Sequence, residues 1–291
     1  HYLSELGHGD EHFALPNQGS KIQCLAFSPD GGTLAIGLRS EVRLWDVATR
    51  SSITSLPGGA SSLLFLRDGR TLVSANHDTT WVVDTSTWLE VKELRGNTGP
   101  LALSDDGTQL ATSSSNGIHI WDTADWFELS RLPVVGNVNR AFSPDGKTLA
   151  SLGPLGITIW SLDGGRAIRV LDDSADLFRG NAASPLTFTT DGTQLIAGAF
   201  DGTVRIWDAA SGQAASTLKG HASWVTSVVF SPDGKRIASG GGEGLVKVWD
   251  SAKQRETFTI EKPGCRQIAF AADGASIATA GMMTTIDVHD S

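Results

Sequence analysis

Between Gly220 and Asp250 the chain alternates apolar and polar residues in three short runs that close on Trp249-Asp250. The runs are carried by Val225, Val228 and Phe230, then Ile237 and Ala238, then Leu245, Val246 and Val248. A Ser-Pro-Asp-Gly turn separates the first two, and a polar, Gly-rich turn separates the second from the third. Brief period-two segments joined by tight turns predict an antiparallel meander rather than a helix. The rest of the chain repeats this unit in weaker form.

Asp-Gly pairs mark the period, at Asp30-Gly31, Asp68-Gly69, Asp106-Gly107, Asp145-Gly146, Asp191-Gly192, Asp233-Gly234 and Asp273-Gly274. Each follows an apolar run ending in Phe27, Phe65, Leu103, Phe142, Phe188, Phe230 or Phe270. Each is therefore expected to be a hairpin turn whose glycine takes positive φ. A Trp-Asp pair or its relic closes every repeat: Trp45-Asp46, Val83-Asp84, Trp121-Asp122, Trp160-Ser161, Trp207-Asp208, Trp249-Asp250 and His289-Asp290. From turn glycine to the end of that pair is 15 positions in the first four repeats and 16 in the last three. Such constancy means a fixed register for the strands between, and periods of about forty residues are those of propeller blades.

With its SPDG turns at Ser28, Ser143 and Ser231, its Trp-Asp ends and the pair Gly220-His221, the chain resembles the WD40-repeat β-propeller family over nearly its whole length. The regular SPDG turns and the Ala-, Gly- and Arg-rich, Lys-poor composition suggest a prokaryotic member. The resemblance implies an all-β, seven-bladed WD40-type β-propeller of four-stranded antiparallel blades filling 1–291 as one domain. Its repeat units would run 19–56, 57–94, 95–132, 133–171, 172–218, 219–260 and 261–291. The last unit lacks an outer strand, and a spare segment at 12–16 corresponds to 53–57, so an N-terminal outer strand is expected to complete the last blade and close the ring. The family's buried tetrad carries over to one repeat, as His221, Ser239, Trp249 and, in the Asp position, Glu243. The fifth repeat keeps Asp201 and Trp207 without a matching histidine.

A net charge of -9 and a pI near 5.2 disfavour an extended phosphate-contacting surface, so no nucleic-acid partner is expected. No apolar run approaches the ~20 residues of a membrane-spanning helix, so no membrane partner is expected either. The start at His1 reads as a segment of a longer chain, and a monomeric domain in a cytoplasmic protein is expected. The two cysteines, Cys24 and Cys265, cannot build a disulfide framework. They are read as buried free thiols, although in a closed ring they would be neighbours.

Departures from the repeat pattern point to a binding site. From Ser161 to Gly192 is 31 positions, against 23 from Asp46 to Gly69, and the excess lies in 171–185. Long loops on a rigid scaffold often carry function. By the resemblance, that loop shares a face with Trp224, Leu155, Met282 and Met283, and it contributes Leu177, Phe178 and Arg179. Lys21, Arg39, Arg140 and Arg266 would be nearby cations, since aromatics and arginine dominate binding hot spots. The competing reading has Phe178 folding back over the insertion and Trp224 packing beside the channel mouth. Trp88 and Trp126, recurring at the entries of two outer strands, are read as covers of the sheet edge, with a lateral interaction stripe as the alternative. His119 occupies a strand position filled elsewhere by Arg43, Trp81, Thr158, Arg205 and Lys247 and is expected to be exposed. Asp172, Asp173 and Asp176 miss the calcium-loop spacing, and His77 beside Asp78 lacks a nucleophile or metal partner.

No phosphate loop, HExxH or G-x-S-x-G elbow is present, so no catalytic residue, metal or cofactor is assigned. The primary expectation is a non-catalytic protein- or peptide-binding scaffold or sensor module of a larger regulatory protein. The alternative is an enzyme or small-ligand binder using the central channel. Against it, the innermost strands carry Gln23, Cys24, Ser61, Ser62, Val138, Ser227, Arg266 and Gln267, a poor set for a hard metal. A sugar or nucleic-acid binder would need repeated aromatic pockets or a basic surface. If the ring is closed by its N-terminal strand, deleting residues 1–18 lowers the melting temperature markedly. An unchanged melting curve would refute that closure.

Overall fold

The computed structural model describes residues 20, 22–96, 98–134, 139–153, 156–171, 174, 177, 185–270, 274, 276–281 and 286–290, with backbone alone at 98, 99, 266, 267, 269, 276, 278, 280, 281 and 286–290. The strand expected at 12–16 lies outside the described residues, as do Asp172, Asp173 and Asp176.

The first sheet is a meander of β1 (Cys24–Phe27), β2 (Thr33–Gly37), β3 (Glu41–Asp46) and β4 (Ser51–Pro57). The second joins β5 (Ser62–Phe65), β6 (Thr71–Ala75), β7 (Thr79–Asp84) and β8 (Leu89–Arg95). The third joins β9 (Thr98–Leu103), β10 (Gln109–Ser114), β11 (Gly117–Asp122) and β12 (Glu128–Leu132), and the fourth β13 (Arg140–Phe142), β14 (Thr148–Gly153), β15 (Gly156–Ser161) and β16 (Arg166–Val170). The fifth contains β17 (Leu186–Phe188), β18 (Gln194–Gly198), β19 (Thr203–Asp208) and β20 (Ala214–Lys219). The sixth contains β21 (Val225–Phe230), β22 (Arg236–Gly241), β23 (Leu245–Asp250) and β24 (Arg255–Glu261). A three-stranded sheet of β25 (Cys265–Phe270), β26 (Ser276–Gly281) and β27 (Ile286–Asp290) follows. Strands β1–β8 belong to one compact unit and β10–β26 to a second, with the boundary inside β9 after Gly99.

The turn between the first two strands of a sheet is held by a repeated knot. In the first sheet Ser28 Oγ donates to Asp30 Oδ1 at 2.6 Å and accepts the Thr33 N–H at 2.8 Å. Asp30 Oδ1 also accepts the Gly32 N–H at 2.9 Å. Ser104 with Asp106, Ser143 with Asp145, Thr189 with Asp191 and Ser231 with Asp233 repeat the hydroxyl–carboxylate bond at 2.5 to 2.6 Å. The glycines that follow the aspartates have φ between 66° and 77° from Gly31 to Gly274, as a turn of this kind requires.

A second regularity sits at the other hairpin. In each four-stranded sheet the register of the third strand shifts at one place, between Leu44 and Trp45 in the first and between Val248 and Trp249 in the sixth. The next aspartate then caps the turn into the fourth strand: Asp46 Oδ1 accepts the Thr49 N–H at 2.7 Å and Asp250 Oδ1 the Lys253 N–H at 2.7 Å. The bulge adds local twist, and the carboxylate supplies an acceptor the turn backbone lacks.

Apolar residues from adjacent sheets interleave. In the first unit Cys24, Ala35, Val42 and Leu44 of the first sheet meet Leu63, Phe65, Leu72 and Val83 of the second. In the second unit Trp207 leaves the fifth sheet to pack with Leu152, Ile157 and Ile159 of the fourth, and Trp249 of the sixth meets Ile196, Val204 and Ile206 of the fifth. The tryptophan of a repeat thus belongs to the core it shares with the repeat before it.

Asp30, Asp106, Asp145, Asp191 and Asp233 are all held below the usual carboxylate range, first by the hydroxyl of the turn Ser or Thr and next by a backbone N–H. Their folded pKa values therefore lie under the unfolded value of about 3.9, so the stability they contribute is complete above that pH and is lost as pH falls through the folded values. Melting temperature should be flat down to about pH 4 and then decline, with a shallower decline when Ser28, Ser143 and Ser231 are replaced by alanine. An identical acid limb in that triple variant would rule out the turns as its source.

Candidate functional site

His221 stands between β20 and β21, Ser239 on β22, Glu243 in the β22–β23 turn and Trp249 on β23, and one chain of hydrogen bonds links them. The His221 Nδ1 and Glu243 Oε1 atoms are 2.5 Å apart, His221 Nε2 and Ser239 Oγ 2.8 Å, and Trp249 Nε1 donates to Ser239 Oγ at 2.8 Å. A neutral histidine satisfies this chain with Nδ1–H donating to the carboxylate and Nε2 accepting from the serine hydroxyl. The order Ser–His–Glu has the connectivity of a nucleophilic triad. Ser239 is 0% exposed, however, so no substrate reaches it and the arrangement is a brace.

Parts of this brace persist where the sequence reading had not found them. Trp121 Nε1 donates to Thr112 Oγ1 at 2.8 Å and Trp160 Nε1 to Ser151 Oγ at 2.9 Å. The signal was available as a Ser or Thr nine residues before the tryptophan. In the first sheet Ile36 takes that place, and the buried Trp45 Nε1 has no partner among the described residues.

His119, expected to be exposed, is 5% exposed, because its ring stacks on Trp121 at 5.8 Å between centroids and turns inward against β12. Nε2 lies 2.7 Å from Ser114 Oγ and 2.9 Å from Asn116 Oδ1, and Nδ1 lies 3.1 Å from Glu128 Oε2. That contact is electrostatic, since the Nδ1–H is out of line for a hydrogen bond. Glu128 instead takes Arg131 through both oxygens, at 2.7 and 2.9 Å. Ser114 Oγ is also turned to Asn116 Oδ1. A serine engaged by an amide and a histidine misaligned with its acid do not form an activated nucleophile. In the sixth sheet the same strand position holds Lys247, whose Nζ donates to Glu256 at 2.8 Å.

Of the residues expected to meet a partner, Trp224 is on the surface, 53% exposed. Its indole lies over Gly242, where an added Cβ would come within 2.9 Å of the ring and of Ser223 Oγ. The Gly242 N–H donates to the Trp224 carbonyl at 2.8 Å, which ties the tryptophan to the turn that carries Glu243. From the fifth sheet, the turn at Gly202 (φ 82°) approaches so closely that a Cβ there would sit 2.4 Å from the His221 carbonyl. Arg39 is exposed on the β2–β3 turn of the first unit.

Two expectations are corrected. Leu177 is 0% exposed and packs with Leu152, Ile157, Leu171 and Trp207, and nearby Ser174 accepts the Ile157 N–H at 2.8 Å and donates to the Leu171 carbonyl at 2.7 Å. Leu177 is thus a core residue rather than a contact residue. Arg140 is buried, its guanidinium donating to Ser113 Oγ on β10, and burial lowers it to about 9. Lys21, Leu155, Phe178, Arg179, Met282 and Met283 lie outside the described residues, and the Arg266 side chain does as well.

Trp88 and Trp126 occupy the positive-φ position of the turn into the fourth strand, both at 58°. Trp88 packs on the apolar cluster shared by the first two sheets, whereas Trp126 adjoins the exposed Phe127. His77 is exposed. Cys24 and Cys265 are free and buried, and burial pushes the Cys24 thiol up to about 12. Among the described residues no group of three or more His, Cys, Asp or Glu is arranged to hold a metal ion. A half-open groove between the third and fourth sheets is lined by Gln109, Ser130, Lys147, Ser161 and Asp163 beside Leu129 and Leu162.

The family model for the WD domain, G-beta repeat, matches residues 10–46, 88–122, 182–208 and 212–250. Human WD repeat-containing protein 86 is 43% identical over 63 residues, a stretch covering 22% of this chain and 15% of that protein. The chain carries WD40 repeats over those four segments. Such repeats generally mediate protein–protein scaffolding rather than catalysis.

The corrected roles separate two variants. Leu177→Ala should destabilise by about 2–5 kcal/mol, the range for a large-to-small change in a closed core. Trp224→Ala should stay within about 1 kcal/mol of the parent, as expected at a surface. Denaturant midpoints measured side by side decide it, and equal losses would refute the assignment.

Proposed function

We propose that the protein is a non-catalytic interaction module, a seven-bladed ring within a larger regulatory protein that binds a protein or peptide through the face bearing Trp224 and the 171–185 insertion. The observation that carries this reading is a half-exposed tryptophan held over the backbone of a glycine-rich turn whose far side is fixed by a buried His–Glu–Ser–Trp chain. An anchor aromatic that is already ordered binds with little further loss of side-chain freedom. The insertion supports the same face by its length, since long loops on a rigid scaffold often carry function. The two Ser–His–Glu lines, one sealed and one misaligned, support the non-catalytic part.

The test is affinity capture from lysate with wild-type protein and Trp224→Ala in parallel, each checked for an unchanged melt. The expected outcome is a partner retained by the first and depleted about tenfold or more by the second, a loss typical of an interface hot spot. Equal capture by both variants would place binding elsewhere and overturn the assignment of the face.

A further inference from the structure

We propose that the Trp224 corner receives a cationic side chain, an arginine or lysine of a basic peptide segment. This rests on the reading of the Trp224 face as the binding face and names the chemistry of what it takes. Of the cations expected beside Trp224, Arg140 is buried against Ser113.

The segments that build the corner around the indole carry carboxylates. Three segments build this corner: the turn from 199 to 203, the entry from 220 to 225 and the turn from 241 to 244. Their only titratable side chains are Asp201, His221 and Glu243. Their proximity follows from the close approach of Gly202 to His221 and Ser223, and of Gly242 to Trp224. Asp201 is about half exposed, and Arg205, its partner at 2.9 Å, is drawn back along β19 with its own side chain largely covered. The Glu243 carboxylate lies over Gly241, one residue from the glycine that supports the ring.

Glu243 Oε1 is engaged by His221 and its Oε2 is buried, so this carboxylate contributes to the corner through its charge. The face of the indole attracts a cation through its quadrupole, and the carboxylates add a Coulombic pull that strengthens once the partner excludes water. Ser223, beside the ring, offers a hydroxyl for a guanidinium or ammonium N–H. The net charge of -9 steers basic segments toward the protein in the same sense.

The experiment uses the full chain and three labelled, amidated peptides of one length, carrying paired arginines, paired citrullines or paired glutamates, followed by fluorescence anisotropy. The arginine peptide should bind at least about fivefold more tightly than its citrulline form, a ratio within reach of one cation–π contact with charge support. The advantage should shrink with added salt. Trp224→Ala should abolish it. Glu243→Gln keeps an acceptor for the His221 N–H while removing the charge, and should reduce the advantage with the melt unchanged. Equal binding of arginine and citrulline peptides, tighter binding of the glutamate peptide, or no binding up to about 1 mM would overturn the proposal. Loss of a captured partner in Trp224→Ala without any preference for arginine would sink this inference alone. A Trp224→Ala variant unaffected in both assays would sink the binding face with it.

Discussion

The structure depends on the fact that no single sheet here can bury its own apolar faces. A four-stranded meander has two faces and one hydrophobic set per face, so it is stable only when stacked between others of its kind. The clusters obey this, since each of the larger ones draws residues from two successive sheets, as Leu152, Ile157 and Trp207 do across the fourth and fifth. That constraint explains the constant spacing from turn glycine to Trp-Asp. A one-residue slip would rotate the tryptophan out of the neighbouring core and bring a polar side chain in. Register therefore matters more than composition, and the hydroxyl–aspartate knots and third-strand bulges are the devices that keep it.

Polar bracing is secondary and uneven. The sixth sheet carries the full His221–Glu243–Ser239–Trp249 chain, while the third and fourth share with it the indole-to-hydroxyl bond. Where Ile36 replaces the hydroxyl residue, Trp45 retains its apolar packing against Leu34, Ile36 and Leu38 but gives up a hydrogen bond. An unmade bond of this kind costs about 1–3 kcal/mol, comparable to the gain from burying one large side chain, so packing can carry it. The complete chain stands in the same sheet as the exposed Trp224, and its Glu243 shares a turn with the glycine under that ring. Rigidity is concentrated where a surface aromatic needs support.

The repeat unit, its turns and its strand order could be read from residues alone, because Asp-Gly, the Ser before it and the Trp-Asp end act locally. The placement of Leu177, Arg140 and His119 could not. Each is decided by a neighbour distant in sequence: Leu177 by a gap beside Trp207, Arg140 by Ser113 on another sheet, His119 by Trp121 and by Glu128 on the next strand. Alternation tells which way a side chain points within a sheet. It does not tell whether another sheet waits there. An insertion reads as exposed by its length, yet Leu177 within it is buried and Ser174 is bonded to Ile157 and Leu171.

The tryptophans at positive φ show how one turn serves two kinds of contact. In the fourth and fifth sheets the position holds Gly165 (φ 61°) and Gly212 (φ 76°), and an added Cβ would come within 2.8 Å of the Arg131 carbonyl and 2.4 Å of the Arg169 side chain. There the absence of a side chain lets the turn press on the previous sheet, and Arg169 Nη1 donates to the Ser211 carbonyl at 2.8 Å across the contact. In the second sheet the same position holds Trp88, which packs beside Leu56 and Trp81 on the cluster shared with the first sheet. A non-glycine residue in this conformation costs about 1–2 kcal/mol, and burying much of an indole returns an amount of the same order or more. Glycine gains close approach and tryptophan gains coverage, so the turn tolerates either extreme of size. In the third sheet Trp126 holds the same position at φ 58°, so this turn carries an indole in two successive sheets.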